Sequence, residues 1–182
     1  MLFETPKLDQ LEIDVISEIE QVRKVFSHSI SSQRWFGNLR RMAYARAMRG
    51  SNSIAGYNTT VTGAMAALEG GESIDSTEDT WIALLGWRMA MSYVVQLADD
   101  PYFLFSQGLI RSLHYMMTHD DKGKHPGKWR PGPSYVRDDA TGNIVYEGPP
   151  AKLVNGLVEE LVAYLNHPQD DSNVKVRAAM AH

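Results

Sequence analysis

Four adjacent carboxylate pairs punctuate the chain: Asp99-Asp100, Asp120-Asp121, Asp138-Asp139 and Asp170-Asp171. Two neighbouring carboxylates can divide acid and base duties between them. All four pairs fall at expected helix ends or turns, however, where Asp is favoured because its side chain accepts from nearby backbone N–H groups. Capping explains them without catalysis. His114 and His119 are five residues apart, which puts them on different faces of a helix, and no HExxH occurs, so no protein-built metal site is expected. The chain has neither a GxxxxGKS/T phosphate loop nor a GxGxxG following a strand. No Ser/His/Asp triad can be assembled from spacing, and the absence of cysteine excludes disulfides and thiolate nucleophiles.

One stretch reads unlike the rest. In YVRDDATGNIVYEGPP, Tyr135 to Pro150, β-branched and aromatic residues flank a polar turn ending in Gly142-Asn143, the pattern of a β-hairpin over 134–147. A hairpin this small has no core of its own. Read from its residues alone, it could be a cover for the core or an exposed ledge.

The surrounding elements are helical. Leu8, Leu11, Val15, Ile19, Val22 and Phe26 make an amphipathic stripe over 8–30, and a second helix is expected from Gln33 to Met48, stopping at Gly50. A short third helix follows Thr60, with Val61, Met65 and Leu68 on one side, and ends at Gly70-Gly71. Ser76 and Asp79 resemble a capping box, and the run from Trp81 to Leu97 is dense enough to be buried on most of its surface at the centre of the core. Asp99-Asp100-Pro101 breaks that helix. Ser106 caps the next, which carries Leu109, Ile110, Leu113, Met116 and Met117 and ends near His119. Prolines and glycines make 120–150 loop and hairpin. Leu153, Leu157, Leu161 and Leu165 then mark a helix over 151–166, and Asn173 caps a last one, in which Val174, Val176, Ala178, Ala179 and Met180 suit a well-packed position.

Length and composition set the frame. With 182 residues, 43% hydrophobic and 22% charged, the chain can build a globular core, and no segment approaches the ~18–20 apolar residues of a membrane span. No basic start with an apolar run marks a leader, so the expected location is cytoplasmic. A net charge of -4 argues against a nucleic-acid partner. The local exception, RRMAYARAMR with Arg40, Arg41, Arg46 and Arg49, is read as a solvated or salt-bridged face rather than an RNA surface.

The run from Gly108 to Asn166 resembles the first half of the Fic family core: a helix, PGKWR at Pro126 to Arg130, the hairpin, Pro149-Pro150, then a helix ending in Leu165-Asn166. With the tail VKVRAAMAH the likeness covers 105–182, leaving 1–104 as an N-terminal helical region. It implies a mostly α, Fic-like helical fold with one β-hairpin, the flap. It also implies the family's chemistry, transfer of AMP from ATP with Mg²⁺ onto a hydroxyl side chain of a target protein. The flap would hold that target by strand-to-strand hydrogen bonds, which an exposed edge can offer to any extended backbone. Its docking residues would be Tyr135, Val136 and Arg137 on one arm, and Ile144, Val145 and Tyr146 on the other.

Upstream, SNSIAGYN at Ser51 to Asn58 resembles the family's inhibitory segment, S/T-x-x-x-E-G/N. Ser51 and Gly56 match, and Ala55 stands at the glutamate position. In the family that glutamate pairs with a phosphate-holding arginine, so alanine there removes a charge-assisted pair and implies released inhibition. A plain helix C-cap with Gly56 left-handed is the alternative. The family's HPFxDGNGR loop, which carries the base histidine, the magnesium ligand and the phosphate cradle, occurs nowhere in the chain. No catalytic residue is therefore assigned, His182 included. The chain as written is expected to be inert and to bind neither ATP nor Mg²⁺ alone, with the loop encoded beyond it and apolar surface left exposed on its last two helices. A homodimer stays open, and the rival reading is a non-enzymatic helical module or antitoxin-like partner of a Fic protein.

Overall fold

A computed structural model describes residues 6–28, 33–73, 75–138, 140–167 and 173–181. In chain order the elements are α1 (Gln10–His28), α2 (Gln33–Ile54), α3 (Val61–Glu69), α4 (Glu78–Leu97), α5 (Gln107–Thr118), a 3-10 turn (Lys122–Lys124), β1 (Tyr135–Arg137), β2 (Ile144–Glu147), α6 (Ala151–Asn166) and α7 (Val174–Ala181). This is the helical architecture with one hairpin that the sequence implies.

Capping chemistry sets most helix starts. Asp9 and Glu12 form a reciprocal capping box, each carboxylate accepting the other residue's backbone N–H at 2.8 Å, which is why α1 begins at Gln10 and not at Leu8. Thr60 and Ser106 cap α3 and α5 by accepting from Gly63 and Leu109. The start of α4 differs from expectation by one residue. Thr77, not Ser76, accepts from the Thr80 N–H, while the Ser76 hydroxyl turns to Thr59 and Asp75. Asn173 caps α7 through Lys175, as its residue type suggests.

The buried core lies among α2, α3 and α4: Ala45 and Met48, Ala64 and Ala67, Leu84 and Trp87, with Ala90 also buried. Four alanines let these helices approach closely, and Tyr44 meets Trp87 edge to face at 6.4 Å. Helix α4 is central, but its burial is a stripe rather than most of its surface, because Met89 and Tyr93 face outward. α4 packs on α5 at Gly86, where a Cβ would stand 2.9 Å from the Met116 carbonyl oxygen. None of the described residues of α5, α6 and α7 is fully buried. Val174, Ala178 and Ala179 of α7, residue types suited to a packed position, are exposed, as is Leu153 of α6, in line with the apolar surface expected on the last two helices, since no other described element of the chain covers that side.

Polar clasps hold α5 and α6 together in place of a core. Asn166 acts like a strand residue, accepting the Phe105 N–H and donating to the Phe105 carbonyl, both at 2.8 Å. Gln107 donates to the Asn155 carbonyl, and the Trp129 indole donates to the Asn155 side chain. Glu20 and Lys175 pair between α1 and α7, and the lysine holds the Glu20 carboxyl below its ordinary range.

Candidate functional site

The hairpin stands out from the helices. β1 and β2 pair antiparallel, Tyr135 with Glu147 and Val136 with Tyr146, and the register slips so that Arg137 faces Ile144. Every strand residue is exposed, including the apolar Val136, Val145 and Tyr146, which are 53%, 62% and 59% accessible. The six residues expected on the two arms, Tyr135, Val136, Arg137, Ile144, Val145 and Tyr146, all lie in the strands, joined by Glu147. As the sheet has two strands, each strand has one edge with unpaired backbone groups.

Both ends of the hairpin are pinned. At the turn, the Asp138 carboxylate accepts from the Ala140 and Thr141 N–H groups and from the Thr141 hydroxyl, and Gly142 adopts φ +70°. The Thr141 bonds, foremost among these, lower the Asp138 pKa below its usual value. At the base, the Arg130 guanidinium donates to the carbonyls of Gly132 and Pro149. A loop held to α5 leads into this base: Arg111 donates to the Gly127 carbonyl, and the Gly127 N–H donates to His114 Nδ1. His114 is thus engaged in packing the loop, and His119 pairs with Asp120.

In two of the other Asp pairs one member caps a turn. Asp100 accepts from Tyr102 and Asp121 from Gly123, whereas Asp139, Asp170 and Asp171 lie outside the described residues. Arg40, Arg46 and Arg49 are solvent-facing and make no ion pair among the described residues.

The 51–56 segment differs from expectation in one respect. α2 does not stop at Gly50 but continues through it to Ile54, because Asn52 is buried one turn beyond Met48 and donates to the Met48 carbonyl. The helix ends instead in a Schellman motif, in which the Tyr57 N–H reaches the Asn52 carbonyl and the Gly56 N–H that of Ser53. Gly56 takes φ +88°, the left-handed cap read as the alternative for this position. Ser51 and Ala55 are exposed. Among the described residues, no hydrogen bond or ion pair joins residues 51–56 to the hairpin.

The end of α2 is tied instead to the 3-10 turn after α5, through Tyr57 and Lys124, two residues that the sequence does not single out. The Lys124 ammonium donates to the Tyr57 hydroxyl at 2.6 Å, lies 5.3 Å from its ring centroid and pairs with Asp121 at 3.5 Å. The Tyr57 bond is the main reason the Lys124 pKa is raised. Sixty-seven residues separate the two, so no local pattern could have announced the contact. The Arg130 clamp, by contrast, sits inside the PGKWR run, but its acceptors are backbone carbonyls that spacing does not reveal.

The helical fold of this chain is similar to that of a solved protein. The structure of a Fic family protein from Desulfovibrio desulfuricans G20 superposes with a TM-score of 0.78 at 16% sequence identity, covering 99% of this chain and 52% of that one. The fold is that of a Fic family protein, and the chain spans about half the length of the structure it matches. No protein-family model and no curated protein matches the sequence. Among the described residues no group of three or more His, Asp or Glu could hold a metal ion, and no HPFxDGNGR occurs. No helix of the described residues is long and apolar enough to cross a membrane.

Proposed function

We propose that this chain supplies the client-docking hairpin and an inhibitory-type segment to a Fic-type protein AMPylation, the transfer of AMP from ATP to a hydroxyl side chain of a target protein with release of pyrophosphate. The observation that carries the reading is the hairpin: exposed at every strand residue, clamped at its base by Arg130, and set in a fold shared with a Fic family protein over 99% of this chain. Its unpaired edge can take up a target segment as an added strand, through main-chain hydrogen bonds that tolerate many side chains. In this reading the chemistry belongs to an HPFxDGNGR loop outside these 182 residues, and Ala55 leaves the nucleotide pose unopposed by a segment carboxylate.

The test uses a form of the protein that carries such a loop. Replacing residues 135–147 by a short Gly-Ser turn is expected to abolish AMP transfer to the target, and unchanged transfer would overturn the docking reading. In the same form Ala55→Glu is expected to lower transfer, and equal rates would remove the regulatory reading of residues 51–56.

A further inference from the structure

The two outer edges of the hairpin are not equivalent. The Gly148 N–H donates to the Ser134 carbonyl at 2.8 Å, and the Asp138 N–H donates to the Asn143 carbonyl at 2.9 Å. Antiparallel pairing alternates inward and outward along a strand, so Ser134, Val136 and Asp138 turn their peptide groups toward β2. The N–H and C=O of Tyr135 and of Arg137 consequently point outward. On β2 the register slip leaves Val145 as an extra residue, a bulge that breaks the even spacing of outward groups, and Glu147 adds a charge. A bulged strand is an interrupted edge, whereas β1 is regular and carries its own charge at Arg137.

Side-chain chemistry narrows the choice of partner further. Tyr135 and Arg137 are two positions apart and so share one face of the hairpin. Arg137 is exposed, faces the apolar Ile144 across the pair, and makes no ion pair among the described residues. The carboxylate nearest in sequence, Asp138, is engaged with Thr141 and Ala140. Glu147 lies in the Tyr135 row, about two strand spacings (~10 Å) from a strand added outside β1, a separation at which salt screens exposed charges.

We propose, resting on the docking reading above, that the target segment adds to the outer edge of β1 as an extended strand, with an acidic residue beside Arg137 and a β-branched or aromatic residue beside Tyr135, two positions away. Cross-strand pairs of opposite charge, and of aromatic with β-branched residues, stabilise such a ladder, and like charges oppose it. The hairpin then selects extended segments by one charge as well as accepting their backbone.

Two fluorescent, end-blocked peptides of alternating Thr and Val test this. They differ only in whether the central residue, two positions from an Ile, is Glu or Lys. Anisotropy titrations on the 182-residue chain should show the Glu peptide binding about threefold to tenfold more tightly, and Arg137→Glu should reverse that order. Equal affinities, or a preference that survives Arg137→Glu, would overturn the proposed selectivity while leaving strand docking in place. No saturable binding of either peptide would instead count against docking itself, and the selectivity would fall with it.

Discussion

The guanidinium of Arg130 donates to the carbonyl of Pro149, nineteen residues further on, and so fastens the point where the chain rises into the hairpin to the point where it leaves. A hairpin with no core of its own depends on such a clamp to hold one orientation. Arg130→Ala removes both of its bonds to backbone carbonyls and is expected to speed amide hydrogen exchange across 134–138 and 140–148 by at least about tenfold, the equivalent of ~1.4 kcal/mol, with little change in α2 to α4. Unchanged exchange in the hairpin would show that the clamp is incidental.

Asp138 makes the other end of the hairpin acid-sensitive. Its pKa is lowered in the folded turn, chiefly by the Thr141 bonds, so its contribution is present above the unfolded value and is lost as pH falls through the folded one. Chemical shifts of residues 138 and 140–143 should move toward coil values only as pH drops below the ordinary carboxylate value of 3.8. Asp138→Ala should give the disordered turn already at neutral pH, and Asp138→Asn should retain much of it. A turn indifferent to both changes would contradict this picture.

Two glycines of the α2 region should respond in opposite ways to alanine. Gly56, at φ +88°, caps the helix in a left-handed conformation that costs an L-residue ~1–2 kcal/mol, so Gly56→Ala should lower the melting temperature by several degrees. Gly50 lies within the helix, and a methyl group added to its Cα would meet nothing within 4 Å, so Gly50→Ala should stabilise by about 0.5–1 kcal/mol. The same sign for both would mean that α2 ends elsewhere.

The location of the core sets a third contrast. Leu84 is 0% exposed, and Leu84→Ala should cost about 2–5 kcal/mol in denaturant unfolding. Leu153, on α6, is 49% exposed, and its truncation to alanine should cost well under half as much. Comparable losses would place a core around α6 that these packing contacts do not contain.

The helices were legible wherever a stripe met a cap. Thr60, Ser106 and Asn173 begin helices as their side chains dictate, and the strand pattern on either side of Gly142 marked both arms of the hairpin. Gly50 misled because an isolated glycine reads as a stop, while the burial of Asn52 one turn beyond Met48, a tertiary effect, carries the helix onward. Thr77 displaced Ser76 as a cap because Ser76 is bonded to Thr59, seventeen residues away. At the candidate site, the residues on the strands could be read, but not what fixes them: Arg130 on backbone carbonyls and Lys124 on Tyr57 join positions that no periodicity connects. The bulge at Val145 was equally hidden, since it arises from how the turn sets register rather than from composition.

The central claim is that the outer edge of β1 receives an added strand. Residue-resolved amide exchange of the chain, with and without a saturating concentration of the Glu-containing peptide, tests it most directly. Protection should rise at the Tyr135 and Arg137 amides, which point outward, and stay level at Asp138, whose N–H already bonds to Asn143. Protection confined to β2 or to the helices, with Tyr135 and Arg137 unchanged, would contradict the account.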